Sequence, residues 1–211
     1  MIFDLKPKKD KEIQRVSNKA LRELKEFYGI KNKIEINIIM LKDRKTFNAL
    51  RNRKTPGWNT AFARPPIFSV FILDKKNFGK ESSSDYSKEY YAQLIKHEIS
   101  HVLFYQMMGD LRCPAWFAEG VALYTDGSLK RRKRPGKFED FLEFYQSGKS
   151  GVYRESGFAV EVLVKKFGKG KLHELIKRNN GIRGRKQFDK LFRKIYGFNI
   201  NYRNMNKLLQ E

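Results

Sequence analysis

A chain of 211 residues has room for one well-developed core, and a 40% hydrophobic content excludes a wholly disordered polymer. Its 45 Lys and Arg against 23 Asp and Glu leave a net charge of +22, which directs attention to anionic partners. A single cysteine, Cys113, excludes an internal disulfide and a thiolate zinc site, and no apolar run approaches the ~20 residues that a membrane span requires.

In chain order, Asp10 to Tyr28 carries Ile13, Val16, Ala20, Leu21, Leu24 and Phe27 at helical spacing and ends at Gly29. Lys33–Leu41 reads as a strand, and Arg44–Arg53 as a helix or loop. Gly57–Ala63 and Ile67–Leu73 read as strands, the second bounded by Pro65-Pro66 and by Asp74-Lys75-Lys76. Lys80–Ser87 is polar and Ser-rich, as a loop requires. Tyr90–Met108 lacks Gly and Pro, stops at Gly109, and is apolar over most of its circumference, the pattern of a buried helix. Everything after Cys113 reads helical, with breaks at Gly127–Lys137 and Gln146–Gly151. The expected fold is α+β: a small N-terminal mixed sheet with a flanking helix, a central pair of apolar helices, and a mainly helical C-terminal lobe. One domain, 1–211, is expected, with about 1–89 as its α/β part and 90–211 as the central helices and helical lobe.

Two of the chain's three histidines fall in His97-Glu98-Ile99-Ser100-His101. Positions i and i+4 share a helix face, so both imidazoles can reach one zinc ion, with Glu98 placed as a general base. Buried His, Glu and His need partners, since an unpaired buried polar group costs about 1–3 kcal/mol. A catalytic zinc takes three protein ligands. Glu119 is the only charged residue between Arg112 and Asp126, in the apolar run Pro114 to Tyr124, and a carboxylate in such surroundings must be paired or metal-bound.

HExxH followed by Trp116-Phe117-Ala118-Glu119-Gly120-Val121-Ala122-Leu123-Tyr124 resembles the gluzincin zinc metallopeptidases, related to thermolysin and aminopeptidase N, and most closely their small peptidase MA-like relatives. Seventeen residues separate His101 from Glu119, one fewer than is common in the aminopeptidase branch; a loop at Gly109–Cys113 would absorb the difference. A weaker likeness runs through Tyr153–Val160, Leu163–Gly168, Leu172–Ile176 and Gln187–Gly197, so that in all it spans about residues 60–205. The resemblance implies zinc held by His97, His101 and Glu119, and peptide-bond hydrolysis by a zinc-bound water that Glu98 deprotonates. It also implies an oxyanion donor at the start of a downstream helix, which falls on Tyr153; Tyr124 and His173 are the alternatives. Asp85 and Asp126 are the candidates to orient the histidines. In resembling enzymes the strand before the zinc helix pairs with the substrate backbone, a role that falls on Ile67–Leu73, with a buried central strand as the alternative.

The charge is uneven. Residues 130–211 hold 22 Lys and Arg against 8 Asp and Glu, leaving +14, and Lys130–Lys137 is the densest cluster. It suits nucleic acid, an anionic surface or an acidic peptide or protein substrate, although no aromatic residues interleave it for base stacking. The function expected is zinc-dependent peptidase. The alternative is a basic nucleic-acid- or surface-binding protein on a peptidase-like fold with little or no proteolytic activity. The N-terminus, Met1 to Asp10, lacks the apolar core of a signal peptide, so a cytoplasmic location is expected.

Overall fold

The computed structural model describes residues 6–142 and 150–211, and the fold is α+β as expected. Helix α1, Lys11–Tyr28, starts where the Asp10 carboxylate accepts from the Ile13 amide at 3.2 Å and ends at Gly29, whose φ of 68° a side chain would resist. Its buried stripe of Ile13, Ala20, Leu24 and Tyr28 lies against the central helix, as the periodicity requires.

The sheet has three strands in the order β1-β3-β2: β1, Asn37–Leu41; β2, Ala61–Arg64; and β3, Ser69–Leu73. Strand β1 runs parallel to β3, and β2 antiparallel. Both outer strands are shorter than their sequence suggests. In β1, Asn37 pairs with Ser69, and the preceding Phe68 leaves the extended region with φ 47°, so Lys33–Ile36 has no ladder partner. Ahead of β2, residues 57–59 form a turn bonded to the Arg44 side chain and to the Ser83 amide, and only the Thr60 carbonyl still reaches β3, accepting from the Leu73 amide. Helix α2, Arg44–Arg51, resolves the ambiguous segment between β1 and β2, with the Asp43 side chain accepting from the Thr46 amide at 2.7 Å.

Ile67–Leu73 does not supply a free edge. Pro65–Ile67 is a single 3₁₀ turn, and β3 is the middle strand with all five residues buried. The edge that faces the cleft described below is β2.

A short helix α3, Phe78–Glu81, precedes α4, Lys88–Met108, which crosses the centre of the molecule. Ser87 caps α4 by accepting from the Tyr90 amide at 3.1 Å, and Gly109 ends it with φ 71°. Helix α5, Ala115–Thr125, starts at Pro114 and buries Trp116, Phe117, Ala118, Gly120, Val121, Ala122 and Leu123. Helix α6, Ser150–Arg178, packs against α5 through two glycines: a Cβ at Gly120 would lie 2.7 Å from the Ser156 carbonyl, and one at Gly157 2.9 Å from the Leu123 Cβ. Gly168, at φ 80° and ψ 160°, breaks α6 in a region of backbone space that only glycine enters readily. Helices α7, Arg185–Tyr196, and α8, Tyr202–Gln210, complete the C-terminal portion.

The first expected break after α5 is longer than its sequence indicates. Residues 132–142 are irregular, although Phe138 and Phe141 are fully buried. Their backbone is bonded to distant side chains instead of to helix carbonyls: the Phe138 amide to Asn206, the Glu139 and Asp140 amides to Glu155, and the Leu142 amide to the Tyr202 hydroxyl. The expected break at Gln146–Gly151 falls mainly on 143–149, outside the described residues. Among the described residues, no helix is long and apolar enough to cross a membrane.

Candidate metal centre

Helix α4 is apolar on nearly every side, so its polar residues are met by neighbouring helices. Ser100, inside the HExxH motif, shows how: its hydroxyl lies 2.8 Å from the Tyr28 hydroxyl of α1 and 2.8 Å from the Thr125 hydroxyl of α5. Burial raises the Tyr28 phenol pKa, with Ser100 offsetting part of the effect, so Tyr28 stays protonated. This bridge fixes α1, α4 and α5 one residue from the second histidine.

One turn apart on α4, His97 and His101 bring their Nε2 atoms to 3.2 Å. From α5, Glu119 Oε2 stands 3.4 Å from His97 Nε2 and 3.6 Å from His101 Nε2. Three groups named by sequence alone therefore converge, close enough to hold one metal ion. Behind them the Asp126 carboxylate, at the C-terminal end of α5, accepts from His97 Nδ1 at 2.9 Å. Its other oxygen accepts from the Ser128 amide at 2.6 Å. Of the two acids proposed to orient the histidines, Asp126 is in place, while Asp85 is exposed and outside the cluster.

The Asp126 bond fixes the His97 tautomer: with the proton on Nδ1, the Nε2 lone pair points at Glu119. Glu119 Oε2 is buried and meets no hydrogen bond, and His101 Nδ1 is likewise buried without a partner among the described residues. Lone pairs that face one another this closely repel unless a cation sits among them. A proton on His97 Nε2 can stand in for that cation, and the charges around the ring favour it. Burial opposes a charged His97, yet the carboxylates of Asp126 and Glu119 outweigh it and hold its pKa well above the ordinary value. Burial also works to raise the Glu119 pKa, but the imidazoles of His101 and His97 prevail and hold it far below the carboxylate range. Both residues favour positive charge in the pocket between them.

Glu98 faces the same cleft and is buried. That burial raises its pKa, partly offset by His101 and His97 and reinforced by Glu119. The cleft has a volume of about 1580 Å³, above the roughly 300–1,000 Å³ usual for small-molecule pockets. Its walls are β2 with the preceding turn on one side, and residues 132–139 with the start of α6 on the other. Tyr153, in the first turn of α6, lines it with its ring edge-on to Trp58 at 5.7 Å. The two alternatives to Tyr153 are elsewhere: Tyr124 and His173 both pack against Phe27 of α1, at 6.0 and 5.6 Å. His173 is thus a partly buried packing residue, in ring contact with Phe27 and Tyr28.

Three cleft residues escape the sequence reading. Tyr105 continues the 97-101-105 row on α4 and lies 6.4 Å from the His101 ring, a position that helical spacing alone would reveal. Arg51 and Trp58 reach the cleft only because α2 and the 57–59 turn fold over it, and no local pattern marks them. The Lys130–Lys137 cluster does reach the cleft: Arg132, Lys133, Arg134 and Lys137 line its wall.

Comparison with protein-family models, with curated proteins and with solved structures produced no match for this chain.

Proposed function

We propose that the chain is a zinc-dependent peptidase of the gluzincin type, with His97, His101 and Glu119 as metal ligands. The observation that carries this reading is the donor triangle with edges of 3.2, 3.4 and 3.6 Å. Three donors around one tetrahedral zinc at about 2.0–2.1 Å stand about 3.3–3.4 Å apart, leaving a fourth position open. Two imidazoles and a carboxylate, one imidazole backed by a carboxylate, are a donor set that suits zinc.

Zinc, when bound, supplies Lewis acidity that polarises the scissile carbonyl and lowers the pKa of the attacking water towards ~7. Glu98 takes the water proton and delivers it to the leaving amine; its buried surroundings bring its proton affinity closer to that task. The Tyr153 hydroxyl donates to the oxyanion that develops as the carbonyl is attacked. The outward backbone groups of β2 pair with an extended substrate, which an open cleft accommodates better than a closed pocket would.

The test is elemental analysis of purified protein with and without Glu119→Ala, joined to cleavage of a mixed peptide library. About one zinc per chain, lost in the variant, together with cleavage that a chelator stops, is the expected result. A wild-type protein that takes no zinc after reconstitution overturns the reading. One observation favours a second function: the cationic wall at residues 132–137 suits binding of nucleic acid or another anionic surface by a protein with little proteolytic activity. Salt-sensitive retention on DNA, with no peptide cleaved, would establish that instead.

A further inference from the structure

Building on that peptidase reading, we propose that Arg51 is a carboxylate-binding subsite of the cleft and that the preferred substrate is an acidic peptide. Arg51 is the last residue of α2, and its side chain enters the cleft that holds His97 and Glu98. Its guanidinium lies over the Phe62 ring at 5.0 Å, which fixes its plane. Its Nε is buried without a hydrogen-bond partner, and Arg51 takes part in no ion pair among the described residues. Like charges at Arg53 and Arg64 add to the cost of holding it there. A partly desolvated guanidinium left in this state is a fork of donors awaiting a planar acceptor, and a carboxylate fits that fork with two parallel bonds.

The cleft's own acids are committed elsewhere. Glu119 and Asp126 belong to the metal cluster. Glu155 accepts from the amides of Glu139 and Asp140 and from Arg154, and Glu139 pairs with Lys137. Glu98 and the Tyr153 phenol lie near enough to act on Arg51 through space, and Glu98 is the residue whose proton transfer must stay free. Across the cleft, the Arg132 guanidinium donates to the Tyr153 carbonyl at 2.8 Å, and Lys133 stands beside it without an acidic partner among the described residues. An incoming peptide with carboxylates therefore meets cationic groups on both walls, whereas a lysine- or arginine-rich one is repelled.

A peptide offers a carboxylate either as an Asp or Glu side chain or as its C-terminus. Matched fluorescein-labelled peptides distinguish these sources: a Glu-for-Gln scan along one sequence, each peptide made with a free and an amidated C-terminus. Two readouts are taken, kcat and KM on the zinc-loaded full chain, and anisotropy binding to the Glu98→Gln variant, which needs no turnover. The expected result is about 10- to 100-fold preference for one carboxylate placement over its amide, expressed mainly in KM and in binding. Arg51→Gln should remove that preference and Arg51→Lys keep part of it, with zinc content and melting temperature unchanged in both. Any effect of Arg51 on Glu98 or on Tyr153 falls equally on the acidic and the amide peptide, so it cancels in their ratio. No preference in wild type, an equal preference in Arg51→Gln, or displacement of the peptide by a DNA oligonucleotide equally from both proteins overturns the proposal. Binding that discriminates through Arg51 while the zinc-loaded protein cleaves nothing upholds the subsite and sinks the peptidase reading.

Discussion

The floor and the walls of the cleft are built by different means. The floor is two buried helices, α4 and α5, and His97, His101 and Glu119 each leave a regular backbone. The walls, apart from β2 and the start of α6, are irregular. The turn ahead of β2 hangs on Arg44, whose guanidinium donates to the carbonyls of Gly57, Asn59 and Glu81 and to the Thr55 hydroxyl. The opposite wall hangs on Asn206, Glu155 and Tyr202. On the peptidase reading, chemistry that needs donor atoms within tenths of an ångström falls to helices, while recognition falls to β2 and to irregular backbone held by side chains.

The largest effect expected of any one change separates the two jobs within the floor itself. Glu98→Gln keeps the shape of the buried side chain and removes the carboxylate that the peptidase reading makes the base. Metal content should stay the same while kcat falls about 10²–10⁴-fold; a comparable loss of metal would mean that Glu98 is a ligand rather than a base. Asp126→Asn is next. It replaces the acceptor that fixes the His97 tautomer and leaves the donor triangle intact, so metal affinity should fall about 10- to 100-fold in competition with a chelating dye. An unchanged affinity would show that α4 alone holds the ring in place.

Arg44→Ala probes the wall. It leaves the Asn59 and Glu81 carbonyls and the Thr55 hydroxyl without the guanidinium donor, and Gly57 with the Ser83 amide alone, a cost of about 2 kcal/mol in urea unfolding. KM should rise more than kcat falls, and metal affinity should not change. If the metal is lost as well, floor and wall are not independent. Gly120→Ala is a matching probe of the floor: its new Cβ would press on the Ser156 carbonyl and push α5 from α6, costing about 1–2 kcal/mol and shifting Glu119 with the helix.

The same contrast decides what can be read from the residues alone. His97, His101 and Glu119 are legible because a helix converts sequence spacing into position, and because a charge in an apolar run demands a partner. The walls are not legible, since nothing local marks Asn206 as the partner of the Phe138 amide 68 residues away, or Glu155 as the partner of Glu139. Residues 138–142 look helical by composition, yet their amides are taken by those side chains before a helix can use them. Ile67–Leu73 looks like an edge strand until β1 and β2 both pair with β3, since an apolar run of that length fits either place in a sheet.

The smallest effect tests the joint between α4 and α5, the loop that sets the His101-to-Glu119 spacing. Asp110 holds it: its carboxylate accepts from Arg183 and from the amides of Leu111, Arg112 and Gly181. These bonds, that to Arg183 foremost and the Arg112 amide next, lower its pKa from 3.8 to about 2. A depressed carboxylate stabilises the fold only while ionised, so its contribution is complete above about pH 4 and disappears as the pH falls towards 2. Asp110→Asn should therefore unfold more readily than wild type at pH 6 and match it near pH 2. Metal affinity measured at pH 7 should drop slightly, because Glu119 follows the loop. An Asn variant whose stability stays parallel to wild type throughout that range would show that Gly109 and Pro114 set the register of α5 without Asp110.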